Sequence, residues 1–113
     1  MENKSSVKQQ ELGLKIAAEL CSQLNYSTTN SLNISSLKKE FSSTDKTELI
    51  NVIAYLKQKK YVKYSSFNNE PYEIYLTEKG VDLVETLESN KVFSRYSADF
   101  STEVLQNMRS KLK

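Results

Sequence analysis

Tyr61-Val62-Lys63-Tyr64-Ser65-Ser66-Phe67, then Asn68-Asn69-Glu70-Pro71, then Tyr72-Glu73-Ile74-Tyr75-Leu76 is the stretch that decides the fold. Aromatic and β-branched residues crowd both flanks, as strands require. The four residues between them read as a turn, whose proline denies a donor to any continuing ladder. Leu76-Thr77-Glu78-Lys79-Gly80 follows, with Thr77 placed to cap a helix marked by Val81, Leu83, Val84 and Leu87. Ser89-Asn90 punctuates that helix. The run reads as strand, turn, strand, helix.

Working back from Tyr61, Leu49, Val52, Ile53 and Leu56 repeat at helical spacing and predict a buried stripe out to about Lys60. Asp45 or Thr44 caps this helix, and with Asp45 at the cap Glu48 takes the reciprocal capping-box position. Ser42-Ser43-Thr44 makes a turn. Before it a short helix is expected from Ser36 to Phe41, capped by Ser35 or Asn33, with Leu37 and Phe41 four apart. The polar segment Tyr26 to Asn33 reads as a loop.

From Ser6 to Asn25, Leu12, Ile16, Leu20 and Leu24 form a row, with Gly13, Ala17 and Cys21 beside it. That is an amphipathic helix with a wide apolar face. Cys21 lies in that face, so a buried thiol is expected rather than a reactive one. At the other end, Phe93, Tyr96 and Phe100 precede a helix from Ser101 that carries Val104, Leu105, Met108 and Leu112. The fold class is therefore mainly α with a small β-hairpin (α+β). Residues 6–90 make one domain, and 91–113 an aromatic segment and helix that caps the domain or dimerises.

Composition narrows the chemistry. The 113 residues suit one domain with a modest core, and 27% charged against 38% hydrophobic suits a soluble globular chain. No apolar run approaches the roughly 20 residues that cross a bilayer. Met1 to Ser6 has no signal-peptide core, so a cytoplasmic location is expected. With one cysteine and no histidine there is no zinc cluster, no histidine base and no nucleophile–histidine pair. A glycine-rich phosphate loop is also missing. The carboxylates are scattered beside lysines, as on solvated faces. No enzyme, metal or cofactor is expected.

Net charge is +2, but it is unevenly spread. Residues 1–37 are neutral and residues 64–113 carry −2. Residues 38–63 hold seven lysines against Glu40, Asp45 and Glu48, giving +4. An excess of this kind is the electrostatic footprint of a phosphate-binding face.

The order helix, helix, helix, hairpin, helix resembles the winged helix-turn-helix of bacterial transcription regulators, over about residues 6–90. The resemblance rests on Leu49-x-x-Val52-Ile53-x-x-Leu56, then Lys59-Lys60-Tyr61-Val62, then Leu76-Thr77-x-Lys79-Gly80. It is nearest to the MarR and PadR groups, whose members often dimerise through terminal helices. The resemblance implies that the third helix enters the major groove of double-stranded DNA while the hairpin lies along the backbone or minor groove.

With the apolar stripe inward, the third helix turns Thr47, Asn51 and Gln58 outward, flanked by Tyr55. Thr47 and Asn51 lie one turn apart and suit base edges, since Asn can hold adenine and Thr a thymine methyl. Lys46, near the helix start, would reach a phosphate, with Lys57 also at the edge of the stripe. Ser35, Ser36, Lys38 and Lys39 on the second helix would hold backbone phosphates, as would Lys59, Lys60 and Lys63 around the start of the hairpin. The plain alternative for each is a solvated side chain on an exposed face.

The hairpin departs from the pattern, because its tip carries Glu70 where many winged helices place Arg or Lys. Only Arg95 and Arg109 occur in the chain. Two functions follow as expectations. One is a sequence-specific, dimeric DNA-binding repressor, whose first and last helices pair across a two-fold axis. The other is a protein-interaction module that keeps the fold without the DNA contacts. Tyr72, Tyr75, Phe93, Tyr96 and Phe100 could pack, or could line an effector pocket.

Overall fold

A computed structural model describes residues 6–112. Met1 to Ser5, part of the segment read above for a signal peptide, lie outside the described residues. The element order is α1 (Val7–Leu24), β1 (Ser31–Leu32), α2 (Ile34–Glu40), α3 (Lys46–Gln58), β2 (Val62–Phe67), β3 (Glu70–Leu76), α4 (Glu78–Glu88) and α5 (Thr102–Leu112). A single 3₁₀ turn, Ser94–Tyr96, precedes α5. The chain is mainly helical, with a three-stranded antiparallel sheet in the order β1-β3-β2. No helix among the described residues is long and apolar enough to cross a membrane.

The sequence pattern places most of these elements, and the differences have local causes. The polar stretch before α2 holds a strand, β1, where Ser31 pairs with Tyr75 and Leu32 with Ile74. Two residues are too few to show alternation. Asn33 caps α2, its side chain accepting from the Ser36 amide at 2.9 Å, so the helix starts at Ile34 and not at Ser36. Asp45 does occupy the cap of α3, but its side chain makes no cap hydrogen bond, so the expected capping box does not form.

The hairpin reverses more tightly than expected. Phe67 pairs with Glu70, leaving only Asn68 and Asn69 in the loop, both with positive φ (54° and 65°). Positive φ at both central residues matches the right-handed twist of the strands, and Asn tolerates it better than most residues. Glu70 and Pro71 belong to β3. Pro71 sits opposite Ser66, where the register shifts, because a bulge spares the donor that proline lacks.

Leu76-Thr77-Glu78-Lys79-Gly80 stitches α4 to the end of α3. Thr77 Oγ1 accepts from the Gly80 amide at 3.1 Å and donates to the Lys60 carbonyl at 2.6 Å. Lys79 Nζ donates to the Lys59 carbonyl at 2.8 Å. Gly80 is required by close approach, since a Cβ there would lie 2.2 Å from the Tyr61 carbonyl oxygen. The end of α3 is itself closed by a left-handed residue, Lys60 (φ 73°), with Tyr61 N–H bonding to Leu56 O and Lys60 N–H to Lys57 O. That pattern is the usual helix stop, here with lysine where glycine is preferred.

The core runs through all five helices. Leu12, Ile16, Leu20 and Leu24 of α1 and Leu49, Val52, Ile53 and Leu56 of α3 are all buried. Cys21 is fully buried, and burial followed by Glu88 and Glu85 pushes its thiol pKa up to about 12. Phe100, Val104, Leu105 and Met108 enter the same core, and α5 packs on α1 and α4. The tail thus covers the wide face of α1 within one chain. The packing reason for a second copy at that face falls away.

Candidate nucleic-acid interface

The α2 helix, the turn after it and the start of α3 enclose a shallow depression of about 350 Å³ lined by Ile34, Ser35, Lys38, Lys39, Ser42 and Lys46. Four of the expected phosphate ligands therefore stand together. Lys38 Nζ donates to the Ser42 carbonyl at 2.9 Å, which holds its ammonium at the rim. Lys39 is exposed, and neither it nor Lys38 has a carboxylate partner among the described residues. Ser36 is half-buried in the first turn of α2. Asp45 does not cap α3 with its side chain, so the first amides of α3 have no side-chain cap, and helix-start amides favour anions.

Along α3, Thr47 and Asn51 are exposed on the side away from the buried stripe, as the base-reading role requires. Lys46 is placed differently from expectation. Its ammonium pairs with Glu70 at 2.8 Å, both side chains being substantially exposed. Glu70, read from sequence as an acid at the hairpin tip where a cation is usual, is a tether between hairpin and α3. No sequence signal joins residues so far apart.

The other end of α3 is committed to the fold. Tyr55 donates its hydroxyl to the Asp99 carbonyl at 2.8 Å and meets Phe100 edge-on, ring centroids 6.4 Å apart. Tyr61 donates to Asp99 Oδ2 at 2.6 Å. Lys59 and Lys79 approach the same carboxylate at 3.8 and 3.7 Å, and Lys79 lies 4.5 Å over the Tyr61 ring. Burial first, then Asp99, raises the pKa of Tyr61 and Tyr55 and keeps both phenols neutral. Asp99 is 8% exposed. Tyr55 and Lys59, expected on the DNA face, are thus held by the tail. Nothing in the sequence near Asp99 announces this hub, since the acid and its partners are far apart in the chain.

Lys60 and Lys63 remain exposed at the foot of the hairpin, Lys63 lying 5.6 Å over the Tyr75 ring. The aromatic set proposed as an effector pocket does not assemble. Tyr96 and Phe100 are buried, Tyr72 is exposed on the hairpin, and Phe93 lies under Arg109. Among the described residues no cluster of three or more cysteine or acid side chains could hold a metal ion. No protein-family model, curated protein or solved structure matches the chain.

Proposed function

We propose that this chain is a winged helix-turn-helix regulator that binds double-stranded DNA in a sequence-specific way, as a repressor. The observation that carries the reading is the α2–α3 face. Lysines without carboxylate partners, Lys38 and Lys39, stand beside an uncapped helix start whose next outward residues are Thr47 and Asn51. The lysines supply sequence-independent attraction and register, and Thr47 and Asn51 supply base readout. Lys60 and Lys63 extend the cationic strip to the hairpin. Lys46 contributes through its pair with Glu70, by holding the hairpin against α3.

A homodimer accords with the resemblance, and it would set two α3 helices about one DNA turn apart on a palindrome. The test is selection from a random duplex pool at two salt concentrations. Enrichment of one motif, with affinity falling steeply as salt rises, is the expected result; a palindromic motif adds the dimer. A chain that retains no duplex at low salt contradicts the reading. The second reading, a protein-interaction module, is favoured by one observation, the exposed Phe67 and Tyr72 on the hairpin.

A further inference from the structure

A cleft of about 600 Å³ lies between α1 and α5, roomier than the depression beside α2 and within the size range of small-molecule sites. Lys15, Ala18, Glu19 and Ser22 share one stripe of α1, and Met108, Lys111 and Leu112 share one of α5, as helical spacing dictates. Phe41, at the end of α2, joins Ala18, Met108 and Leu112 to give the cleft an apolar floor continuous with the core. Four charged groups surround that floor. Glu19 accepts from Gln23 Nε2 at 2.7 Å, and Glu88, at the end of α4, accepts from the Tyr26 hydroxyl at 2.7 Å. Lys15 and Lys111 are exposed, and neither has an ion pair or a hydrogen bond among the described residues. Each can lay its stem along apolar surface and carry its ammonium to the rim. The acids are engaged and the cations are not.

We infer that this cleft binds a small amphipathic organic acid, its carboxylate held between Lys15 and Lys111 and its apolar body laid on Ala18, Phe41 and Met108. The lining selects that chemistry. An inorganic anion would leave the apolar floor in water, and a neutral hydrocarbon would leave both ammonium groups without a partner. An organic cation would reach Glu19 and Glu88 only by competing with Gln23 and Tyr26. An organic acid removes apolar surface from water while its charge meets two free donors.

The experiment titrates the full chain with decanoate, decanol and decylammonium, followed by calorimetry and by the side-chain methyl signal of Met108. The chain has two methionines, so isotope labelling of their methyls gives a sparse spectrum that reports on this floor. Decanoate is expected to saturate one site and shift the Met108 signal, binding about tenfold more tightly than decanol or decylammonium, the weight of two exposed charge pairs. Lys15→Ala/Lys111→Ala should lower decanoate affinity about tenfold and leave decanol binding unchanged. Lys15→Glu/Lys111→Glu should exchange the preference and take decylammonium, a gain that misfolding cannot mimic. Equal binding of the three probes by wild type overturns the inference, as does wild-type decanoate affinity in the alanine variant or a glutamate variant that still prefers decanoate. So does saturation that leaves the Met108 signal unmoved, the lack of any saturation, or binding to phosphatidylglycerol vesicles in place of free decanoate.

Discussion

At the start of α3, Lys38, Lys39 and Lys46 stand round an open depression, and of the three only Lys46 pairs with a carboxylate, that of Glu70. At its end, Lys59 and Lys79 close on the buried carboxylate of Asp99, beneath which Tyr61 and Phe100 pack at 5.6 Å. Both are lysine clusters within the same basic stretch or against it. In the second, both ammonium groups share one carboxylate, and they are oriented by Asp99 and by the Lys59 carbonyl. The first leaves Lys38 and Lys39 without an acid among the described residues. Lysine count along the chain therefore overstates the surface that can meet a polyanion. What matters is which ammonium groups lack an acid.

The comparison can be broken most forcefully at the clasp. Phe100→Ala removes a fully buried ring and should destabilise by about 3–5 kcal/mol, read from denaturant unfolding. A loss below about 1 kcal/mol would mean that the tail is not part of the core. Gly80→Ala forces a Cβ onto the Tyr61 carbonyl and should cost about 2–3 kcal/mol. Asp99→Ala strips Tyr61 and two lysines of their partner and should cost roughly 2 kcal/mol.

Tyr61 gives the clasp a pH signature. Its folded pKa is raised by burial and by Asp99, while the unfolded phenol ionises near 10. Its neutral state is therefore favoured by the fold. That contribution is fully present below about pH 10 and drains away as pH climbs above it. Tyr61→Phe should flatten the alkaline fall in stability, measured by melting between pH 9 and about 11.5.

Smaller effects sharpen the other side. Lys60→Gly relieves a left-handed lysine and should stabilise by about 0.5–1 kcal/mol. On the proposed reading the same change weakens DNA binding, because it removes a cation from the strip. Lys38→Ala/Lys39→Ala should move stability by no more than about 0.5 kcal/mol, since neither ammonium joins an acid.

Most of the fold was legible because long periodic runs carry it. The stripe Leu49-Val52-Ile53-Leu56 and the row from Leu12 to Leu24 both face the core. The Thr77 cap was legible from residue type alone. Short or long-range features were not. β1 is two residues, the turn is set by positive φ at two asparagines, and Asp45 had the right type for a cap bond that it does not make. In the candidate site, Ser35, Lys38, Lys39 and Lys46 came together because they flank one turn. The redirection of Tyr55, Lys59 and Lys46 depends on Asp99 and Glu70, partners remote in the chain.

The most direct measurement is the salt dependence of duplex binding for wild type, Lys38→Ala/Lys39→Ala and Lys79→Ala. The α2–α3 account predicts that the double variant loses about two ions from the salt slope, while Lys79→Ala keeps the wild-type slope. Equal slopes for wild type and the double variant, or a slope lost in Lys79→Ala, would contradict it.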